Sequence, residues 1–292
     1  MTSPNVPQPA ADDPVDEQIV AWKGPSGRAW VRKQAVLDEM FAPLAAFLVD
    51  TVTADAPDAR RVLDVGCGAG ATTLAVAAAI GAQGGWAVGL DISEPLLTLA
   101  RSRADAEGVP ARFVQADIQD GPVADGAFDA VISRFGVMFF RAPVAAFTNL
   151  RLAAAPGAAL RMLTWREPDA NPFMTTGETA VAPLLGLPIR EPDTPGPFGL
   201  AGRDYALSVL ERSGWSAADA QPIDIECRFP ESELTGYLTS IGPVAPRLAQ
   251  LPDDERARMV DIVRAAYEPF VEGDTVRFVA AGWLLSATND GR

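Results

Sequence analysis

A glycine-rich segment near residue 66 holds the residue types best suited to ligand binding. It reads Val62-Leu63-Asp64-Val65-Gly66-Cys67-Gly68-Ala69-Gly70, an apolar run that leads into glycines and then into an alanine-rich stretch. This pattern predicts a strand, a tight turn and a helix, and in such units the ligand lies across the carboxyl end of the strand. Because glycine lets the backbone approach a ligand closely, we expect Gly66 and Gly68 to contact one.

Two classes of ligand compete for this loop. The spacing of Gly66, Gly68 and Ala71 also satisfies the dinucleotide pattern GxGxxG/A, so the glycines alone do not decide. Asp64 is more informative, because a carboxylate at the end of the strand would repel the phosphates of a dinucleotide. The same carboxylate would attract an ammonium group. The residue therefore favours a cationic ligand over a nucleotide phosphate.

Two further acidic residues follow the next two predicted strands. Asp91 ends the run Trp86–Leu90 and can accept hydrogen bonds from both ribose hydroxyls of an adenosine, a role that NAD would also require. Asp117 follows Ala111–Gln115 and can accept from an adenine amino group. We expect the side chains of Ile92 and Ile118 to enclose the adenine ring.

Strand-like and helical patterns alternate from Arg61 to Trp165. The strands are expected at 62–65, 86–90, 111–115, 128–133 and 158–165, with helices at 71–80, 94–106 and 144–154 between them. This alternation predicts an α/β fold with a doubly wound, mainly parallel sheet. Later segments predict helices near 175–185 and 204–213, a strand at 223–229, a helix that starts with Pro252 at its first position, and a last strand at 278–287.

The motifs together resemble those of class I S-adenosylmethionine-dependent methyltransferases. The matching segments are Val62–Gly70, Gly89–Ser93, Ala116–Ile118 and Phe128–Arg134. The resemblance implies a Rossmann-like, seven-stranded sheet with an antiparallel last strand, and S-adenosylmethionine as cofactor, with S-adenosylhomocysteine as product. It places Asp64 near the methionine ammonium, Asp91 on the ribose and Asp117 on the adenine.

Two outer segments add a weaker resemblance. Trp22–Trp30 and Leu163–Arg166 are similar to bacterial small-molecule enzymes akin to the ubiquinone/menaquinone C-methyltransferases. We therefore expect methyl transfer to carbon or oxygen of a small, partly hydrophobic metabolite. Two alternatives stay open: an NAD(P)-dependent oxidoreductase on the same core, and a cofactor-binding protein with non-methylating chemistry. The sequence lacks the Tyr-x-x-x-Lys pair that would support an oxidoreductase. Lys23 and Lys33 are the only lysines, and neither follows a tyrosine at this spacing.

The rest of the site is predicted from topology. Residues at the end of the fourth strand should face the reacting methyl group, with Ser133 on the cofactor side. We expect Trp30 and Gln34, which share one face of a helix, to cover the cofactor. The predicted acceptor site consists of Trp22, Arg134, Phe135, Met138, Trp165, Asn171 and Phe173.

Candidates for catalysis are few. The chain has no histidine and two cysteines, which removes His-based bases and the common zinc sites, so no metal is expected. Arg134, Glu167 and Glu178 are candidates for a catalytic role, and the catalytic residue itself stays unassigned. A general base is needed only when the nucleophile holds its proton tightly.

Composition sets limits on partners and organisation. The formal net charge of −14 disfavours binding to nucleic acid. Neither a signal peptide nor a long apolar run is evident, so we expect a cytoplasmic protein without membrane contact. The oligomeric state is left open. The expected organisation is a disordered acidic tail at 1–18, an N-terminal helical lid at 19–55, and a core at 56–292 with insertions at 166–200 and 231–272.

Overall fold

The protein is built on one mixed sheet. A computed structural model describes residues 17–187, 194–241 and 244–291. The strands are β1 Arg61–Val65, β2 Trp86–Asp91, β3 Ala111–Gln115, β4 Phe128–Arg134, β5 Ala154–Trp165, β6 Ser216–Pro230, β7 Val271–Glu272 and β8 Thr275–Thr288. Their order is β3-β2-β1-β4-β5-β8-β6, and the two-residue strand β7 pairs with β8 beside this path.

The direction of the strands agrees with the sequence pattern. Strands β1 to β5 pair in parallel, whereas β8 runs antiparallel to both β5 and β6. The central strand β4 contains Ala130-Val131-Ile132, all fully buried, as expected for parallel strands covered on both faces. The predicted α/β sheet with an antiparallel last strand is therefore confirmed.

Helices connect and cover the strands. They are α1 Glu17–Lys23, α2 Pro25–Arg32, α3 Gln34–Asp55, α4 Ala71–Gly81, α5 Glu94–Glu107, α6 Pro143–Ala153, α7 Pro172–Leu185, α8 Arg203–Arg212, α9 Leu234–Ser240, α10 Ala245–Leu248 and α11 Asp253–Ala266. Gly214 follows α8 with a φ of +84°, the left-handed conformation that glycine favours just after a helix. Pro252 precedes α11 as its N-cap and does not occupy its first position.

The N-terminal segment consists of three helices. A proline inside a helix usually kinks or breaks it, but α3 continues through Pro43 as one helix of 22 residues. Met40, Leu44 and Leu48 flank the proline and are fully buried, so packing offsets the backbone hydrogen bond that proline removes. Most of the predicted acidic tail, residues 1–16, lies outside the described residues, and Glu17 and Gln18 belong to α1.

The two predicted insertions pack against each other through aromatic rings. Phe173 of α7 stacks on Phe278 of β8 with ring centroids 4.0 Å apart, and it meets Tyr267 edge-on at 5.1 Å. The Tyr267 hydroxyl donates to the carbonyl oxygen of Phe173. Both segments are thereby fixed beside the carboxyl end of β5. Residues 188–193 and 242–243 of these insertions lie outside the described residues.

Among residues 17–187, 194–241 and 244–291, no helix is both long and apolar enough to cross a membrane. The same residues contain no group of three or more His, Cys, Asp or Glu side chains that could hold a metal ion.

Candidate active site

A cavity of about 410 Å³ lies at the carboxyl ends of β1, β2 and β4, beneath α1, α2 and α3. This volume is within the range of roughly 300–1,000 Å³ that is typical of small-molecule sites. Most of the predicted site residues line it: Trp22, Trp30, Gln34, Asp64, Gly66, Gly68, Asp91, Ile92, Asp117, Ile118, Arg134, Phe135, Met138 and Trp165. The topology thus brings together residues that are up to 143 positions apart in the chain.

The glycine-rich loop is shaped by a close backbone contact. Gly66 has a φ of +66°, and a Cβ added to it would lie 2.5 Å from Cα of Gly136. Gly68 has a φ of +55° and faces open space, so the cavity has room for a ligand against its backbone. Ser133, predicted as a cofactor contact, instead supports the loops from behind. Its buried hydroxyl donates to the Val65 carbonyl at 2.7 Å and accepts from the Gly136 N–H at 3.1 Å.

Asp64 is a buried carboxylate with little compensation from the protein. It is 1% exposed. The Thr73 hydroxyl donates to its Oδ2 at 2.6 Å. Burial raises the pKa of Asp64 from 3.8 to about 7, and the Thr73 hydrogen bond and the positive charge of Arg134 offset only part of this rise. A cationic group in the cavity would stabilise the ionised form.

Asp91 and Asp117 are held by backbone N–H groups. Asp91 accepts from the N–H groups of Gly68 and Ser93, each at 2.8 Å. Burial nevertheless raises the pKa of Asp91. Asp117 accepts from the N–H of Gln119 at 2.9 Å and caps a short 3₁₀ turn at Ile118–Asp120. Carboxylate oxygens have further lone pairs, so both residues can also accept hydrogen bonds from a ligand.

The helices α1 and α2 form an aromatic roof over the cavity. Trp22 meets Trp30 at 5.4 Å and Phe139 at 5.3 Å, both edge-on. Gly27 of α2 lies directly on Ser93, because a Cβ at Gly27 would be 2.4 Å from the Ser93 Oγ. That Oγ is buried and makes no hydrogen bond with the described residues. The position of α2 therefore leaves a polar group without a partner.

Gln34 lines the roof, but its amide is already engaged within the protein. The Gln34 Nε2 donates to Asp38, whose carboxylate also pairs with Arg103 at 2.7 Å. Arg103 in turn donates to the carbonyl oxygen of Ala69 in the glycine-rich loop. This chain of contacts connects α3 with the loop. The Gln34 carbonyl oxygen and the second N–H of its amide are the groups that a ligand could contact.

A second wall of the cavity is apolar. Phe135 and Trp165 stack in parallel with ring centroids 4.1 Å apart, and Phe41 approaches both rings at about 6 Å. The Met138 sulfur lies 3.4 Å from the backbone N of Trp165. Arg134 is the charged group on this side, and its guanidinium lies 5.4 Å from the centre of the Phe41 ring.

Besides Ser133, four predicted residues lie outside the cavity lining. Asn171 is 1% exposed, and its amide exchanges hydrogen bonds with the backbone of Ala281 at 2.9 and 3.1 Å. Phe173 belongs to the aromatic core between the insertions. Glu167 and Glu178 lie just before and within α7 and are absent from the cavity wall. Asn171 thus joins α7 to β8, and a role of these four residues in the acceptor or catalytic site gains no support from the cavity lining.

Several lining residues were not predicted from the sequence. Three of them are close in sequence to predicted residues, so proximity to those residues could have identified them: Asp38, Phe41 and Phe139. Met174 of α7, and Tyr237 and Ile241 from the second insertion, reach the cavity only through the tertiary fold. Burial raises the pKa of Tyr237 far above its ordinary value. The Tyr237 hydroxyl therefore stays neutral. Separately, it makes no hydrogen bond with the residues that the structure describes.

Comparison with known proteins assigns this core to a family. Residues 62–157 match the family model described as a methyltransferase domain. This segment, about a third of the chain, is therefore similar to a methyltransferase domain. The domain covers the glycine-rich loop and all three strand-end carboxylates, so the resemblance seen in the sequence motifs is confirmed. Neither the oxidoreductase nor the non-methylating alternative is supported.

Relatives with curated names cover only part of the chain. A demethylmenaquinone methyltransferase of Thermus thermophilus is 38% identical over 125 residues, which are 43% of this chain and 55% of that protein. The chain thus spans about half the length of the curated relatives that it matches. The methyltransferase domain is the shared part, and the insertions that complete the cavity lie beyond it.

Solved structures extend the likeness to most of the fold. A phosphoethanolamine N-methyltransferase of Haemonchus contortus, solved with S-adenosylhomocysteine, aligns with a TM-score of 0.57 at 13% identity, over 94% of this chain and 60% of that chain. The [4+2]-cyclase SpnF aligns with a TM-score of 0.51 at 18% identity, over 89% of this chain and 94% of that chain. At these identities the likeness shows the fold alone.

Proposed function

We propose that this protein binds S-adenosylmethionine in the cavity and transfers its methyl group to a small, partly apolar acceptor. The observation that carries the proposal is the set of three carboxylates, Asp64, Asp91 and Asp117, on the wall of one cavity. A dinucleotide would bring phosphates against this acidic wall, whereas S-adenosylmethionine would bring an ammonium group, two ribose hydroxyls and an adenine amino group. All of these groups can donate hydrogen bonds to carboxylates.

The residues present suit this cofactor. In our proposal the ammonium group pairs with buried Asp64, whose raised pKa indicates that the protein supplies too little positive charge of its own. The ribose hydroxyls would donate to Asp91, and the adenine would lie between Ile92 and Ile118 near Asp117. The open space beside Gly68 gives the ligand access to the backbone of the loop.

The reaction we propose needs positioning more than acid–base chemistry. When bound, S-adenosylmethionine supplies a methyl group activated by a sulfonium centre. The chain holds the acceptor against the apolar wall and excludes water with the aromatic roof. With no histidine in the chain and Glu167 and Glu178 outside the cavity, the acceptor's own acidity would supply the nucleophilic anion.

We further propose that α1 and α2 act as a lid. The support is the contact between Gly27 and Ser93, which buries the Ser93 hydroxyl without a hydrogen-bond partner. Leaving a buried donor unsatisfied costs about 1–3 kcal/mol. The unpaired Ser93 hydroxyl therefore destabilises the closed position of α1 and α2 when no ligand is bound. Opening of the lid would hydrate Ser93 and admit cofactor and acceptor.

The apolar wall favours small metabolites as acceptors. Phe135, Trp165 and Met138 meet Met174 and Ile241 from the insertions around the same space. The net charge of −14 opposes binding to an RNA backbone. We therefore propose a phenolic, quinone-like or polyketide-like acceptor, and the cytoplasmic location stays a prediction from the sequence.

A transfer assay tests the proposed function. Purified protein with S-adenosylmethionine labelled in the methyl group would be offered a library of phenols, quinols and aromatic acids, and separately tRNA and peptides. We expect label in one or more small molecules, and loss of that label with the Asp91→Ala variant. Transfer to tRNA or peptide alone would overturn the proposed acceptor class.

A further inference from the structure

Phe135 has a backbone conformation that a bulky residue rarely adopts. It directly follows β4 with a φ of +63°, in the left-handed region that favours glycine. Its N–H donates to the Leu163 carbonyl at 2.9 Å, and the next residue, Gly136, is pressed against Gly66. These contacts on both sides hold the conformation in place. Such strain is concentrated at functional sites, where the surrounding structure enforces it.

The strained backbone directs the Phe135 ring to the cavity. The ring stacks on Trp165 at 4.1 Å with an angle of 3° between the planes, and Phe41 meets it edge-on at 5.9 Å. Trp165 is only 3% exposed, whereas Phe135 is half-buried and lines the cavity. The accessible part of the stack is therefore the Phe135 ring. A flat aromatic surface of this kind suits a flat ligand.

The residue before it, Arg134, supplies a positive charge at the same place. Its Nε donates to the Thr72 hydroxyl at 3.0 Å, and its guanidinium lies over Phe41. Among the described residues, no carboxylate lies within ion-pair distance of this guanidinium, and its two terminal nitrogens make no hydrogen bond. Burial lowers the pKa of Arg134, while Asp64 and Asp38 raise it. A half-buried arginine that lines the cavity with free terminal nitrogens is suited to bind an anionic oxygen.

We propose that the methyl acceptor is a planar, conjugated small molecule that carries an anionic oxygen. Its ring system lies against Phe135, and its anionic oxygen accepts hydrogen bonds from the terminal nitrogens of Arg134. This inference rests on the proposed function, because it names the acceptor class for the same cavity. Arg134 and Phe135 are specificity-determining residues in this assignment, and neither takes a proton from the acceptor.

A pair of probes that differ in charge tests the assignment. Protein saturated with S-adenosylhomocysteine would be titrated with 2-naphthoate and with the neutral 2-naphthamide by calorimetry. We expect the carboxylate to bind roughly tenfold or more tightly than the amide, since hydrogen bonds to charged groups are the strong ones. Arg134→Gln should remove this preference, and Arg134→Lys should restore only part of it because lysine lacks the planar fork.

Other outcomes would overturn the proposal. Equal affinities of the two probes in the wild type would contradict the proposal that the acceptor carries an anionic oxygen. This holds even if S-adenosylhomocysteine binds as the proposed function requires. A third ligand, methylthioadenosine, lacks the amino-acid part of the cofactor. If Arg134→Gln weakens S-adenosylhomocysteine, leaves methylthioadenosine unchanged and keeps the naphthoate preference, Arg134 serves the cofactor carboxylate and the proposal fails.

Matched variants at position 135 test the role of the ring and the strain. Phe135→Leu should weaken naphthoate and naphthamide by about the same factor, roughly 3- to 10-fold, because the aromatic contact serves both probes. Phe135→Gly should melt about 2–4 °C above Phe135→Ala, since only alanine keeps the steric penalty of the left-handed backbone conformation. An alanine variant as stable as the glycine variant, or a leucine variant with wild-type affinity, would contradict the assignment.

Discussion

Removal of the Asp64 charge should make the ligand-free protein more stable at neutral pH. Burial raises the pKa of Asp64 from 3.8 to about 7, so the folded protein keeps this proton over a range in which the unfolded chain has lost it. Stability then falls as the pH rises from about 4 to about 7 and is level above that range. Converting the difference between 3.8 and about 7 into free energy gives a penalty of about 4 kcal/mol at pH 8.

The Asp64→Asn variant isolates this penalty. Asparagine resembles the neutral carboxyl group and can still accept the hydrogen bond from Thr73, but it does not titrate. The unfolding free energies of variant and wild type would be measured in urea, without ligand, at several pH values from 4.5 to 8. We expect similar stabilities near pH 4.5 and a variant that is several kcal/mol more stable at pH 8.

Ligand binding should change in the opposite direction. S-adenosylhomocysteine would lose its ionic partner in Asp64→Asn, so its affinity should fall roughly 10- to 150-fold, as expected for a lost charge-assisted hydrogen bond. In the wild type near pH 7, binding should also displace part of a proton from Asp64. Calorimetry in buffers with different ionisation enthalpies would detect this proton, and the variant should release none.

An ion pair far from the cavity provides the control. The pKa of Asp129 is lowered by hydrogen bonds from Arg61 and from backbone N–H groups, although burial works against them. The destabilisation in Asp129→Asn should therefore be complete by pH 5 and constant above it. If the difference between wild type and Asp64→Asn is equally constant, or if Asp64→Asn is the less stable protein at pH 8, the reasoning about a buried, uncompensated carboxylate is refuted.

Three further predictions concern the cofactor and the lid. Asp91→Ala should weaken S-adenosylhomocysteine roughly 5- to 150-fold, because unpaired hydroxyls cost about 1–3 kcal/mol; an unchanged dissociation constant would place the ribose elsewhere. Gly27→Ala should weaken the same ligand roughly fivefold or more through overpacking against the Trp22 carbonyl oxygen and the Ser93 hydroxyl, whereas exposed Arg28→Ala should not; equal effects would contradict the closed lid. Amide hydrogen exchange in residues 17–41 should slow when S-adenosylhomocysteine binds, and equal exchange with and without ligand would make the segment a fixed packing element.

Local patterns were sufficient to predict the sheet and its carboxylates. The strand at 111–115 agrees residue for residue with β3, and the other parallel strands begin within four residues of their predicted positions. The three carboxylates could be placed because each lies within two residues of the end of a predicted strand. Parallel strands bring their carboxyl ends to one edge of the sheet, so carboxylates at the ends of successive strands lie close together in the folded protein.

The acceptor side could not be predicted in the same way. Strand β6 begins at Ser216, seven residues before its expected start, because pairing with β8 holds a stretch of low strand propensity. Asn171 gave no sign that its amide is needed by the backbone of Ala281, which is 110 residues away. Tyr237 and Met174 reach the cavity from segments that have no local signature of binding. Long-range packing decides which of these residues face the ligand.

The most direct test of the account is a calorimetric titration of the wild-type protein with S-adenosylhomocysteine and, separately, with NADH. The acidic wall formed by Asp64, Asp91 and Asp117 predicts saturable binding of S-adenosylhomocysteine at one site per chain and no heat from NADH. Saturable binding of NADH without heat from S-adenosylhomocysteine would contradict the assignment of the cavity to a methyl donor.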